Sequence, residues 1–219
     1  MVTNAGSYTI TATTIDGTNC SRSLTVNVDE SNIATLERSW VTIYDESNNN
    51  GIDDDIFISI DTVNNDLGPG DYQFALLNTE TGTRIPFAGY QDEPRFEDLE
   101  GGIYQILVND KNGCSPDTTL LISVIQFPKF FTPNGDTVND TWTIKGADSR
   151  FYPNSRIYIF DRFGKPVANF PLDGPGWDGT FNRKVLPSDD YWFSIQLIEP
   201  DGTIRERKGN FSLIRGERR

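Results

Sequence analysis

Asn134, Asp136, Asn139 and Asp140 place four oxygen-bearing side chains within seven consecutive residues. Oxygen donors in such density suit Ca2+. The same residue types also build Asx turns, in which side-chain oxygens accept backbone N–H groups, and the two readings compete. A second acidic loop runs from Asp45 to Asp55. With Gly51 at the sixth position of a calcium loop, Glu46, Asn48, Asn50 and Asp54 fall at one, three, five and nine. The twelfth position is Phe57 rather than a bidentate Glu. The loop lies between strand patterns, so it is no helix–loop–helix, and a solvated hairpin loop is the alternative. Asp161, Asp178 and the pair Asp189–Asp190 have the chemistry of glycosidase carboxylates, but they stand in turn-like surroundings that use Asp for local hydrogen bonds. The chain has no histidine. That excludes His-based triads and zincins and leaves Cys20 and Cys114 without an imidazole to activate them. No phosphate-cradling Gly-rich loop and no nucleophile elbow is present. No catalytic residue is therefore assigned.

The elements that must carry these residues are strands. Period-2 alternation recurs at 8–12, 24–28, 40–44, 56–60, 72–76, 104–108 and 120–124, and again at 141–144, 156–160, 191–198 and 204–214. Gly, Pro, Asn and Asp clusters separate these runs, and no window reads as a long amphipathic helix. Short strands at this spacing predict an all-β chain of tandem Ig-like β-sandwiches. In Tyr191-Trp192-Phe193, neighbours must face opposite ways. Either Trp192 or its two neighbours then look outward, as an interface anchor would.

Gly6-Ser7-Tyr8-Thr9-Ile10 with Cys20, Leu24 and Val26 matches Gly102-Ile103-Tyr104-Gln105-Ile106 with Cys114, Leu120 and Val124. Both read as a strand, a turn and a second strand. The second copy closes a full module; the first has no body before it. The organisation expected is 1–28 as the last hairpin of a truncated Ig-like repeat, 29–126 as an Ig-like sandwich and 127–219 as a final sandwich. Met1–Asn4 is polar and runs straight into a strand pattern, so no leader is expected there, and the repeat favours a piece of something longer. Cys20 and Cys114 hold equivalent places in successive modules, too far apart for a disulfide.

Across 219 residues the formal net charge is −13. Residues 1–126 hold 20 acids and 5 bases, whereas 127–219 hold 12 acids and 14 bases, so the excess acid is confined to the first part. Such a chain is repelled by phosphate backbones, and nucleic acid is not an expected partner. No run of about 18 apolar residues is present to span a bilayer as a helix.

From residue 127 the sequence becomes specific. Phe127-Pro128-Lys129-Phe130-Phe131-Thr132-Pro133-Asn134-Gly135-Asp136 continues to Asn139-Asp140-Thr141-Trp142. Ile157 to Lys165, Gly174-Pro175-Gly176-Trp177-Asp178-Gly179, Leu186 to Phe193 and Gly209 to Leu213 follow in order. These blocks resemble the gliding-motility-associated C-terminal domain, the type B sorting domain of the type IX secretion system of Bacteroidetes. Thr137 stands where that family usually has Gly, and Arg215-Gly216-Glu217-Arg218-Arg219 extends the usual end. The resemblance implies a non-catalytic signal that exports a large surface protein, an adhesin and possibly a gliding one, and attaches it at the outer-membrane surface. The partners it implies are translocon components and a PorP/SprF-like outer-membrane barrel protein. The surface expected to meet the barrel comprises Lys129, Phe130, Phe131, Thr132, Pro133, Asn134, Gly135, Asp136, Asn139, Asp140 and Trp142. It continues through Gly176, Trp177 and Asp178 to Trp192, the terminal strand 209–215 and the cationic Arg215, Arg218 and Arg219. A carbohydrate-binding or calcium-dependent adhesive module is the alternative.

Overall fold

The computed structural model describes residues 4–15, 17–28, 33–47, 55–112 and 116–216. An N-terminal hairpin pairs β1 (Gly6–Thr13) with β2 (Ser21–Val28) and with no other described strand. The next module contains β3 (Val41–Tyr44), β4 (Phe57–Ile60), β5 (Tyr72–Asn78), β6 (Arg84–Ile85), β7 (Arg95–Phe96), β8 (Gly102–Asp110) and β9 (Thr118–Val124). They form two sheets, ordered β3-β4-β7 and β6-β5-β8-β9. The last module contains β10 (Phe130–Phe131), β11 (Arg156–Phe160), β12 (Pro166–Pro171), β13 (Thr180–Phe181), β14 (Lys184–Val185), β15 (Asp189–Ile198) and β16 (Ile204–Leu213). Its main sheet is ordered β10-β16-β15-β11-β12. The chain is all-β; the one short helical turn described is Arg38–Trp40.

Alternation decides which face each strand buries. In β15, Tyr191, Phe193, Ile195 and Leu197 point inward while Trp192 and Gln196 stay exposed. Two clusters of buried side chains result. The first includes Ile58, Leu76, Ile106 and Ile122. The second includes Trp142, Ile157, Ile195 and Phe211. The expected strand at 141–144 is absent. Trp142 makes an isolated bridge to Trp177 and Lys145 one to Gln126, so two partners pull this segment apart before a ladder can form. β12 went unforeseen because prolines stand at both its ends, and Pro removes a ladder donor.

No linker separates the two cores. Val124 belongs to the first and Ile125, the next residue, to the second. The junction is held by the acidic turn after β3. Asp45 is buried; its Oδ2 accepts the N–H of Ile125 (2.8 Å), and its Oδ1 accepts the N–H and hydroxyl of Ser47 (2.9 and 2.5 Å). Glu46 donates its N–H to the Ile125 carbonyl (3.2 Å) and accepts the Phe127 N–H at Oε2 (2.7 Å). Arg205 on β16 donates to the Ser47 hydroxyl and to the Tyr152 hydroxyl (3.1 Å). Ser123 donates to the Gly146 carbonyl (2.8 Å). The buried polar residues Asp45, Ser47 and Ser123 each have a partner on the other side of the junction, which is what makes their burial tolerable.

Gly146 lies at φ +72°, and a Cβ there would stand 2.0 Å from the Val124 carbonyl oxygen. Gly135, at φ +85°, has open space around its missing side chain. Gly135→Ala is therefore expected to cost about 1 kcal/mol, from left-handed strain alone. Gly146→Ala is expected to cost about 2–4 kcal/mol, because collision adds to strain. Urea unfolding of the full chain measures both; equal costs would mean that the backbones do not meet at Gly146.

Candidate partner-binding surface

The block from Lys129 to Trp142 begins as β10, which runs parallel to the end of β16. Ser212 donates its N–H to the Lys129 carbonyl (2.9 Å) and Ile214 donates to that of Phe131 (3.0 Å). Phe131 faces inward and Phe130 outward, as alternation requires. Beyond Pro133 the chain makes a loop organised by one carboxylate. Asp140 accepts the N–H groups of Asn134 (2.9 Å) and Gly135 (2.7 Å) at Oδ1 and that of Thr137 (2.7 Å) at Oδ2. Asn134 Oδ1 accepts from the Asp136 N–H (3.0 Å), Asp136 Oδ1 accepts from the Val138 N–H (2.8 Å), and the Asn134 amide donates to Asp136 Oδ2 (2.8 Å). The Gly135 N–H, helped by those of Thr137 and Asn134, holds the Asp140 carboxyl below its ordinary value. A depressed carboxylate pKa stabilises the loop above the unfolded value, and that contribution fades as pH falls through the folded value. Turn bonding thus occupies the side-chain oxygens of Asn134, Asp136 and Asp140, while Asn139 contributes its backbone carbonyl, which accepts the Thr132 N–H (2.7 Å).

Three aromatics of the expected surface do not reach it. Trp142, Trp177 and Phe131 are buried. Trp142 stacks on Phe211 with centroids 4.0 Å apart and donates Nε1–H to the Pro128 carbonyl (2.8 Å). Trp177 donates its indole N–H to the Thr180 carbonyl (2.9 Å) and exchanges both backbone bonds with Trp142 (2.9 Å each). Their large apolar areas and satisfied N–H groups make them core anchors. Gly176 sits where a Cβ would press on the Trp142 carbonyl at 2.9 Å, and Asp178 Oδ1 accepts from the Thr180 N–H and hydroxyl (2.9 and 2.8 Å). This turn is packed for shape.

Arg215, part of a cationic end in the sequence, is a clamp in the structure. Its guanidinium donates to the carbonyls of Leu186 (3.0 Å), Gly179 (3.0 Å), Pro133 (3.4 Å) and Asp178 (3.4 Å), joining three loops. Arg218 and Arg219 lie outside the described residues, as do Asn48, Asn50, Asp54 and Cys114. Glu46, the remaining candidate of the acidic loop, is bonded to Phe127 and lies 3.8 Å from the exposed Lys129 ammonium. Among the described residues no three His, Cys, Asp or Glu side chains gather around a common point. Lys129, Phe130, Asn134, Asp136 and Asn139 are exposed, and Thr132 and Pro133 half-buried.

The terminal strand was also expected to lend an edge. At Ser212–Leu213 that edge is already taken by β10. What stays open is the outer face of the sheet. Trp192 is 42% exposed and lies across from half-buried Phe160 on β11; Tyr158, 41% exposed, is one pair further along, opposite Ser194. Asn210 and Lys208 flank the same rows on β16. Arg156 donates to the Asn169 side chain (2.8 Å) at the far margin. Alternation locates Trp192, and Arg156–Phe160 carries the same outward spacing, which brings Tyr158 and half-buried Phe160 to this face.

The chain is thus two all-β modules bonded across a linker-free junction, with motif residues spent on packing and turns and one aromatic sheet face left open. Residues 125–213 match the model of the CHU_C Type IX secretion signal domain, and this part of the chain is such a domain. The family is one of sorting signals, not of catalysts. No curated protein matches the chain. Among solved structures, one similar to it is a biofilm-associated protein BSP domain (14% identity, TM-score 0.26, covering 75% of this chain and 28% of that one). Another is a tetra-tandem repeat from the extending region of a large adhesion protein (15%, 0.26, 96% and 57%). A third is the Bacteroides ovatus mixed-linkage glucan utilization locus protein SGBP-B in complex with a heptasaccharide (13%, 0.23, 96% and 53%). The chain thus spans from about a quarter to just over half of those structures, and likeness at these scores carries no functional argument.

Thr137, the departure from the family pattern, sits at φ +73°. A β-branched residue in that region is strained. Thr137→Gly is expected to stabilise the chain by about 0.5–1 kcal/mol, the relieved strain being partly offset by the greater freedom of unfolded Gly. Asn139→Gly, at φ +52°, should gain less because Asn tolerates this region. A destabilised Thr137→Gly variant in thermal unfolding would contradict this account of the loop.

Proposed function

We propose that this chain is the C-terminal sorting and anchoring end of an exported surface protein, an adhesin in character. It is delivered by type IX machinery and held through a PorP/SprF-like outer-membrane barrel protein. The observation that carries the reading is the signal-domain match over residues 125–213. A sorting signal acts by being recognised, so it needs a surface. The open face centred on Trp192, Tyr158 and Phe160 supplies an aromatic patch with a polar margin, the composition of a binding hot spot. Exposed charges such as Lys129 tune the approach and contribute little individually. A place in gliding remains part of this proposal.

The full chain, fused behind a Sec leader and a reporter, should reach the surface of a host with type IX machinery and the matching barrel protein. Trp192→Ala with Tyr158→Ala should cut surface display at least tenfold, while Val63→Ala, at an exposed site on the other module, should not. A folded fusion retained in the periplasm would remove the sorting reading. Undiminished display of the double variant would remove this face from it.

The same face supports a second reading, because exposed aromatic rings on a flat sheet also stack against sugars. In affinity electrophoresis through soluble polysaccharides, a carbohydrate module would be retarded, and Trp192→Ala would release it. Unchanged mobility in every polysaccharide would leave the sorting reading alone. A calcium-dependent form of the second reading would also lose retardation in chelator.

A further inference from the structure

The N-terminal hairpin is built as half of something. Its two faces differ sharply. On one, side chains pair as a polar ladder: Thr9 with Thr25 (3.2 Å), Thr11 with Ser23 (2.8 Å), Thr13 with Ser21 (2.8 Å), and Ser7 with Asn27. On the other, Tyr8 pairs with Val26 and Ile10 with Leu24, and this face is bare. Ile10 and Leu24 are each 64% exposed. Isolated hairpins are marginal in water, and a contiguous apolar strip on one face only is a surface made to be covered.

The chain itself shows what covers such a face. The hairpin β8–β9 has the same register: Gly102 pairs with Val124, Tyr104 with Ile122 and Ile106 with Leu120, as Gly6 pairs with Val28, Tyr8 with Val26 and Ile10 with Leu24. In that second copy Ile106 and Ile122 are fully buried, packed in one core with Ile58, Phe74 and Phe96. β8 also has β5 hydrogen-bonded along its outer edge, whereas β1 has no strand there among the described residues. An independent feature marks both hairpins. The Tyr8 hydroxyl donates to the carbonyl of Asn4 (2.8 Å), four residues back, and the Tyr104 hydroxyl donates to that of Glu100 (2.9 Å), also four back. This corner bond is made where an Ig-like chain turns into its penultimate strand. The first hairpin therefore carries the corner that, in its packed twin, follows directly on residues 33–101.

We propose that β1 and β2 are the last two strands of an Ig-like sandwich. Its body, built like residues 33–101 and carried N-terminal to them in the same polypeptide, docks on the Tyr8–Ile10–Leu24–Val26 face and pairs a β5-like strand to the edge of β1. The chemistry required of this occupant is an aliphatic and aromatic inner sheet face with a free antiparallel edge. The polar ladder is the solvent side of the finished module. On this assignment the chain joins a tandem array to its sorting domain, which goes beyond the function proposed above and does not depend on it.

The test extends the full chain by placing a copy of residues 33–101 directly before residue 6. Hydrogen exchange of the hairpin amides is then compared with the chain as it exists. The extended chain should show exchange at least tenfold slower across 6–28 and lower binding of a hydrophobic dye. Ile10→Asp with Leu24→Asp should abolish that protection, while Thr11→Asp with Ser23→Asp, on the ladder face, should spare it. In the unextended chain the Ile10→Asp, Leu24→Asp pair should leave the melting of both cores unchanged, because nothing covers the face there. Three results would overturn the proposal: no added protection in the extended chain, a melting loss from the aspartate pair in the unextended chain, or a concentration-dependent dimer that the same pair dissolves. The second would mean that the hairpin packs on its own downstream module, and the third that a second copy covers it.

Discussion

The peptide bond between Val124 and Ile125 joins two hydrophobic cores, and much of the molecule is arranged to make that possible. A strand that leaves one core and serves another on the next residue exposes its backbone at the crossing. The Asp45 carboxylate and the Glu46 backbone and carboxylate take up the amides of Ile125 and Phe127 and the Ile125 carbonyl. A buried carboxylate with no partner would cost several kcal/mol, so the acidic turn and the crossing strand depend on each other. Gly146 completes the contact, since only a residue without Cβ lets the second module's backbone come so close to Val124. The two modules are thus fixed by main-chain chemistry, which is directional, rather than by apolar contact alone.

Sequence reasoning reached what local periodicity encodes and missed what distance encodes. Tyr191-Trp192-Phe193 can be sorted into inward and outward residues from neighbours alone, and the repeat between Gly6 and Gly102 marks both hairpins, but it sets Val26 against Val124 where the registers make Val26 the equivalent of Ile122 and Val28 that of Val124. Asp45 and Glu46, by contrast, bond to residues 80 and 81 positions away. From the sequence they were simply acids beside a turn, equally suited to a cation. Arg215 reads as a cationic tail because nothing local shows that the carbonyls of Pro133, Gly179 and Leu186 converge on it. Trp177 lies in a segment with no strand period, so alternation has no hold on it, and the period at 141–144 misleads because Trp142 forms only an isolated bridge to Trp177.

The motif residues of the signal domain now divide by role. Asp140 spends its oxygens on three amides of its own loop. Trp142, Trp177 and Phe211 form one stacked and edge-on aromatic group. Tyr191 sends its hydroxyl to the Pro187 carbonyl four residues back (3.1 Å), repeating the corner bond of Tyr8 and Tyr104, and burial pushes its phenol above the ordinary value. A recurrent local motif need not be a contact motif; here it specifies how a small sandwich closes.

If the motif is structural, recognition must use what closure leaves free, and the sheet edges are poor candidates. β12 is bounded by Pro166 and Pro171, neither of which can donate to an added strand. β10 blocks the end of β16. Further up β16, the Arg207 guanidinium already occupies the Glu206 carbonyl (2.7 Å), and Lys208 pairs with the Glu206 side chain (2.8 Å). Charged side chains of this kind are a common guard against strand addition. On the outer face Lys208 and Glu206 stand to one side, opposite Ser194 and Gln196. Its rows bring Trp192, Phe160 and Tyr158 together, with Asn210, Ser194 and Gln196 able to make hydrogen bonds around them. On the function proposed above, a partner that meets this domain in its folded state meets side chains before backbone, with Trp192 and Tyr158 the exposed aromatic rings it would receive.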